Sequence, residues 1–346
     1  MFTLELPSIS IFTGVGGLDI GLENAGFSFK LCIESDPERC KLLAINRPNW
    51  NAVCSDIREL PTRTILRRAG LRSGEVALIS GGPPCQSFSK AAFWVPGRFR
   101  PYRRDKRASL LREFARVVVE SKPKVFVLEN VAGLAYSTNR RYLELFNRMI
   151  RRAGYTVSWQ VIDASHYGIP QKRERVFIIG SRDGTKFEFP RATHGDRGST
   201  DLKPLVTAGE AIADLDDRVV HDSEKVRGKW GHLLPEIPPG QNYLYFTRER
   251  GHPKPVFKYR SRFWLFLAKL SPNKPSLTIP AHPGPYTGPF HWRNRRLRIS
   301  EVKRLQTIPD RWYVGMDYSK AWASIGDAVP PMLARLIGRS IVRQLF

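Results

Sequence analysis

The 346 residues carry 56 Lys+Arg against 32 Asp+Glu, a formal charge of +24, with 42% hydrophobic residues. That length supports a large core or two unequal domains, and so strong an imbalance on a core-forming chain favours a polyanionic partner, nucleic acid before a membrane surface. No run approaches the roughly eighteen apolar residues of a membrane span, the opening MFTLELPSIS lacks the basic-then-apolar order of a secretory signal, and Cys32, Cys40, Cys54 and Cys85 show no C-x-x-C spacing. The expectation is a cytoplasmic protein with reduced thiols, no membrane partner and no structural metal.

Apolar runs bounded by turn residues at 8–12, 76–80, 125–129 and 176–180 read as buried strands of a parallel sheet. Between them, Leu110, Leu111, Phe114, Val117 and Val118 recur at helical spacing, as do Tyr142, Leu143, Phe146, Met149 and Ile150 before a C-cap at Gly154. Strands alternating with helices predict an α/β doubly wound layer with ligands at the carboxyl ends of the strands. After about Arg182 the character changes: proline, glycine, histidine and aromatic residues crowd 190–289, which reads as a second, loop-rich domain. Regularity returns over 300–306 and in an apolar helix over 330–345, which is expected to close the first domain.

Chemistry concentrates at the predicted strand ends. In SISIFTGVGGLDIGLENAGF, Gly14, Gly16 and Gly17 stand between a strand and a helix, where glycine lets backbone approach a nucleotide-like ligand. Glu34 ends the next strand, where an acid accepts from ribose hydroxyls, and Asp56 ends the following apolar segment, where it could accept from an adenine amino group; Asp36 and Asp56 equally suit helix N-caps. The spacing T-G-V-G-G is not a dinucleotide fingerprint and no Walker lysine follows, which favours a nucleoside-type cofactor over NAD or ATP. In LISGGPPCQSFSK, a strand runs into Gly81-Gly82 and Pro83-Pro84 stiffen the bend that carries Cys85. Gly-Gly-Pro-Pro suits rigid exposure better than packing, so Cys85 is the candidate nucleophile, while Cys32, Cys40 and Cys54 fit buried, inert positions. Glu129 and Asn130 end another core strand, and Arg173 and Arg175 begin one; a surface ion pair is the alternative for each.

These residues, taken in order, resemble the DNA (cytosine-5) methyltransferases, which use S-adenosylmethionine. The resemblance rests on F-x-G-x-G-G at Phe12 to Gly17, the acids Glu34 and Asp56, G-G-P-P-C-Q at Gly81 to Gln86, E-N-V at Glu129 to Val131 and Q-x-R-x-R at Gln171 to Arg175. It continues in RRLRISEVKRLQTIPD from Arg295 and in GDAVPP from Gly326. Two positions depart from the family pattern: Ser10 stands where Asp is frequent, and Asp327 where Asn is usual, so an amide donor near the cofactor is missing there. The resemblance implies a Rossmann-like methyltransferase sheet with helices on both faces and a smaller loop-rich target-recognition domain. Its segments are a catalytic domain over 1–189, target recognition over 190–290, a hinge region over 291–325 and a C-terminal helix over 326–346 completing the catalytic domain.

The resemblance also implies roles. Cys85 adds to carbon 6 of a cytosine taken out of duplex DNA, and carbon 5 then accepts the methyl group, leaving S-adenosylhomocysteine. Glu129 contacts N3 and the exocyclic amine, Arg175 contacts the base carbonyl, and Asn130 and Arg173 complete the catalytic set. Phe12 packs on adenine, Glu34 binds ribose, Asp56 and Ile57 flank adenine, and Gly14, Gly16, Gly17, Pro84, Leu110, Asp327 and Val329 are further cofactor contacts. The segment SKAAFWVPGRFRPYRRDKR is expected to close over the flipped nucleotide, and Asn242, Arg248, Arg250, Arg260 and Arg262 are candidates for reading bases or phosphates. The expected context is a monomeric prokaryotic modification enzyme acting beside a separate restriction endonuclease. The alternatives are a tRNA cytosine-5 methyltransferase on the same scaffold and a catalytically silent DNA-binding homologue.

Overall fold

The computed structural model describes residues 5–84, 109–136, 139–196, 198 and 201–346; Cys85 and the basic segment that follows it lie outside the described residues. Two compact units emerge. The first comprises Met1–Ile162, Glu174–Arg191 and Ala328–Phe346, the second Asp163–Arg173 and Ala192–Asp327.

In the first unit, β1 (Leu6–Ile11), β2 (Phe27–Glu34), β3 (Ala52–Cys54), β4 (Leu78–Gly81), β5 (Val125–Val131), β6 (Thr156–Asp163) and β7 (Glu174–Ser181) form one sheet in the order β3-β2-β1-β4-β5-β7-β6. The pairs β1–β2, β1–β4, β2–β3 and β4–β5 are parallel, as expected. β7 is not: it pairs antiparallel with β5, Val131 opposite Arg175 and Glu129 opposite Phe177. Apolar patterning reports which strands are buried, not their direction, and the short return from β6 to β7 lacks the length of a parallel crossover.

The strand alternation divides the two faces. Ile9 and Ile11 point into one core with Phe126 and Leu128, covered by α3 (Thr62–Ala69), α4 (Ser109–Ser121) and α5 (Arg140–Arg152) through Ile65, Leu66, Phe114, Leu143, Phe146 and Ile150. Phe114, Phe126 and Phe146 meet pairwise at centroid separations of 6.0 to 6.2 Å, edge-on or tilted. Each such buried ring contributes about 2–3 kcal/mol of transfer free energy. α5 ends at Arg152 with Ala153 as its C-cap, one residue before the Gly154 cap expected, and Gly154 follows with φ +89°, a left-handed turn.

The opposite face carries α1 (Gly17–Glu23), which packs against α9 (Pro331–Leu345); α2 (Pro37–Asn46) follows β2. The approach of α1 to α9 is close enough that a Cβ on Gly21 would strike the backbone of Pro331. Glycine here permits helix-on-helix approach that alanine would block.

The second unit has little regular structure: α6 (Ala208–Ile212), α7 (Ile299–Leu305), α8 (Tyr318–Asp327), the two-residue strands β8 (His194–Gly195) and β9 (Lys203–Pro204), and a series of single 3₁₀ turns. Its apolar centre gathers Leu233, Leu234, Ile237, Tyr243, Phe246, Phe257, Leu267 and Phe290. Beside it lies a charged network. Arg295 donates through both terminal nitrogens to Glu301, at 2.8 and 2.6 Å, with both side chains wholly buried, while Arg293 pairs with Asp216 and Arg298 with Glu224. His291, 3.7 Å from Glu301, is pushed down to about 3 by burial and by Arg295, so it stays neutral there.

Candidate active site

The carboxyl ends of β1 and β2 build a cradle. Leaving β1, Phe12 takes φ +58°, uncommon for a residue with a side chain, and Gly14 and Gly16 follow at +62° and +84°. Gly17 opens α1, where a Cβ would come within 2.5 Å of the Val329 carbonyl oxygen. Glu34 fixes this turn from the neighbouring strand: its Oε2 accepts from Gly14 N–H at 2.7 Å, and its Oε1 accepts from the N–H groups of Ser35 and Asp36 at 2.8 and 2.9 Å. A carboxylate oxygen takes about two hydrogen bonds, so Oε2 retains an acceptor site at the strand end. Glycine-lined backbone with an oriented carboxylate suits a nucleoside with ribose hydroxyls, so the cradle fits the cofactor that the sequence implies.

The neighbouring strand ends hold the polar set. β4 ends at Gly81, and Asn130, near the end of β5, donates its amide to the Pro83 carbonyl at 3.1 Å while its own oxygen accepts from Val131 N–H at 3.0 Å. Two residues further lies Cys85, outside the described residues. Glu129 and Arg175 are diagonal neighbours across the antiparallel β5–β7 pair, so their side chains share a face. Arg175 Nε meets Glu129 Oε1 at 3.0 Å, with 15% of the arginine and 9% of the glutamate side chain exposed. The other carboxylate oxygen lies against Gly82, where a Cβ would sit 3.0 Å from it. An acid and a base of opposite charge thus stand beside the bend that leads to the cysteine.

A family model for C-5 cytosine-specific DNA methylases matches residues 6–343. The chain belongs to that family. Over 369 aligned residues this methylase is 39% identical to Type II methyltransferase M.SacI of Streptomyces achromogenes, covering 99% of this chain and 94% of that one. It is 41% identical over 228 residues to Type II methyltransferase M.AquIA of Picosynechococcus sp., covering 61% of this chain and 90% of that protein. An E. coli crystal structure of a DNA modification methyltransferase encoded within a prophage shares the fold at a TM-score of 0.68, with 24% identity and 99% of each chain covered.

In the methylase, several residues singled out on sequence have other occupations. Arg173, named with Arg175 in the expected catalytic set, has a fully buried guanidinium that donates to the carbonyls of Gly326 at 2.8 Å and Ile279 at 3.4 Å, within the second unit. Asp56 caps the turn Ile57–Glu59 by accepting from Arg58 N–H at 2.9 Å, and the Arg58 guanidinium beside it holds its carboxyl below the usual range. Ile57 is buried and Leu110 half-buried against the sheet core, Pro84 is exposed at the strand end, and Asp327 ends α8 in the second unit. Asn242 spends its side chain on Leu244 N–H and the Trp264 carbonyl. Arg248, Arg250, Arg260 and Arg262 all belong to the second unit; the guanidinium groups of Arg260 and Arg262 lie over the rings of Tyr259 and Phe266. Cys54, expected to be buried, is exposed at the end of β3.

Two supporting residues escaped the sequence reading. Asp19 sits on α1 among buried Gly17, Leu18, Ile20, Gly21 and Leu22; Ser80 of β4 donates to its Oδ1 at 3.0 Å, and Ser10 of β1 lies beside it. Burial raises its carboxyl to about 7, and Oδ2 has no acceptor or donor partner among the described residues. An acid inside the buried apolar stretch of α1, distinct from Glu23 at its end, was the available signal. Arg116 donates to the carbonyls of Ile57 and Leu60 at 2.9 and 3.2 Å and to Thr62, tying α4 to the turn that carries Asp56.

Proposed function

We propose that this methylase transfers a methyl group from S-adenosylmethionine to carbon 5 of a cytosine flipped out of duplex DNA at a specific sequence, through a covalent bond to Cys85, as the modification enzyme of a restriction–modification pair. The observation that carries the reading is the Glu129–Arg175 pair set against Gly82, with Asn130 holding Pro83 two residues before the cysteine. S-Adenosylmethionine, when bound, supplies an electrophilic methyl group. The cradle of Gly14, Gly16 and Gly17 with the Glu34 carboxylate holds and orients it, and Phe12 offers a ring at the turn.

Carbon 5 of cytosine is a weak nucleophile. Addition of the Cys85 thiolate to carbon 6 makes the ring electron-rich at carbon 5, and later loss of the carbon 5 proton expels the thiolate. Glu129 engages N3 and the exocyclic amine, while Arg175 presents guanidinium N–H groups to the base carbonyl, where negative charge develops during addition. Asn130 and Arg173 act as positioning residues, one on the cysteine-bearing bend and the other on backbone of the second unit. Carbon 6 is out of reach of a thiol while the base is stacked, so the base leaves the duplex. No helix among the described residues is long and apolar enough to cross a membrane; the reading places a metal-independent monomer inside the cell, apart from its cognate endonuclease.

Radiolabelled methyl transfer to duplex DNA and to tRNA, with bisulfite sequencing of DNA from expressing cells, tests the proposal. Methylation of one DNA sequence context is expected, with Cys85→Ala losing at least about 10³-fold. Transfer to tRNA alone would establish the RNA alternative, and full transfer by Cys85→Ala would remove the covalent step.

A further inference from the structure

α5 divides sharply into two faces. Tyr142, Leu143, Phe146 and Ile150 are buried, whereas Arg140, Arg141, Arg148, Arg151 and Arg152 are exposed. Over thirteen residues the helix holds five arginines against one glutamate, a net of four positive charges. Arg140 lies 3.3 Å from that glutamate, Glu144, and Arg141 donates to the Tyr142 hydroxyl at 2.7 Å. Arg148, Arg151 and Arg152 have no carboxylate within ion-pair reach among the described residues. Together with Glu144 and Asn147 they line a shallow groove. The Asn147 side-chain oxygen is shielded from water there and has no hydrogen-bond partner among the described residues. Turning that amide about puts an N–H donor at the same spot.

Three guanidinium groups without an ion-pair partner among the described residues outnumber the single carboxylate, Glu144, around this open groove, and with the Asn147 amide they suit phosphate oxygens. The neighbouring helix shows that this is not a general property of the layer: α4 holds two arginines and two glutamates, with Arg116 paired to Glu113. α5 follows β5 and the turn Ala132–Leu134, and its thirteen residues extend for about 20 Å, the length of some six base pairs of duplex.

We propose that the outer face of α5 is a second docking face for duplex DNA, in which Arg148, Arg151 and Arg152 bind phosphates outside the segment engaged at the catalytic edge. This rests on the DNA-methylase reading. Such a face carries no sequence information; it holds long DNA and raises the local concentration of target sites.

The test uses the full chain with two triple variants that remove equal charge: Arg148→Gln/Arg151→Gln/Arg152→Gln on α5, and Arg335→Gln/Arg339→Gln/Arg343→Gln on the exposed side of α9. Thermal unfolding confirms that both fold. For a non-cognate duplex, the slope of log affinity against log salt is expected to fall by about 2.7 for the α5 variant, near 0.9 for each phosphate no longer neutralised, with a smaller change for the α9 variant. Methylation of plasmid is expected to drop severalfold relative to methylation of a short single-site duplex, on which the α5 variant matches the wild type. An unchanged slope, equal loss in both variants, or loss of binding to phosphatidylglycerol vesicles without loss of DNA binding would each overturn the proposal. The slopes are read without catalysis, whereas a wild type that fails to methylate the short duplex refutes the underlying reading instead.

Discussion

In the sheet unit, backbone N–H and C=O groups are paired strand to strand, and the helices add an almost wholly apolar cover. In the second unit, short turns leave backbone groups that side chains must satisfy: Lys269 donates to the Ile237 carbonyl, Asn242 to that of Trp264, Arg298 to that of Leu215 and Arg173 to that of Gly326. The difference decides where polar side chains are available for a ligand. At the strand ends of the first unit, Glu129, Arg175 and Glu34 stand on backbone that the ladder already holds, so their side chains are positioned by a rigid frame. In the second unit many of the same residue types are consumed by their own chain.

Breaking the buried ion pair of the second unit should have the largest effect. Glu301→Ala leaves Arg295 buried without its bidentate partner and is expected to cost about 3–5 kcal/mol in urea unfolding, with activity per folded molecule little changed. In the first unit the converse is expected. Glu129→Gln should lower the single-turnover methylation rate about 10²- to 10³-fold, equivalent to about 3–4 kcal/mol of transition-state stabilisation, while thermal stability shifts less than for Glu301→Ala because glutamine keeps the side chain's shape and an oxygen that accepts from Arg175. If Glu129→Gln destabilised as strongly as Glu301→Ala, the contrast between the units would fail.

Asp19 sharpens the comparison through pH. Its carboxyl is raised to about 7 in the fold, so between about pH 4 and 7 the folded chain holds a proton that the unfolded chain has released. Stability from this group is therefore complete below the ordinary carboxylate range and is lost as pH rises through about 7. Relative to Asp19→Asn, the wild type should lose roughly 1.4 kcal/mol per pH unit across that window, measured by unfolding at a series of pH values. A parallel pair of curves would mean that the carboxyl is ionised in its pocket. The smallest effect is expected at Asp36, which accepts from Glu38 and Arg39 N–H at the start of α2: Asp36→Ala should cost about 1 kcal/mol and leave methyl transfer intact.

Sequence by itself determined the parts whose signal is local. Apolar runs fixed β1, β4 and β5 as buried strands, helical spacing fixed α4 and α5, and the ordered motifs from Phe12 to Pro331 identified the family, because periodicity and short-range spacing report which face of an element is buried and which turn follows it. The tertiary structure alone decided partners. Nothing in the run Val176 to Gly180 states that β7 lies antiparallel to β5, yet that register sets Glu129 and Arg175 on one face. Nothing in Gln-x-Arg-x-Arg distinguishes the buried Arg173, bound to carbonyls far along the chain, from Arg175 at the edge. The fate of Asp19 was likewise settled by what folding placed beside it, a desolvated carboxyl between two serines of neighbouring strands, whereas Asp56 caps its own turn and pairs with Arg58 two residues on, a local outcome. A side chain's chemistry depends on the dielectric and the hydrogen-bond partners around it, and both are set by packing between segments remote in sequence.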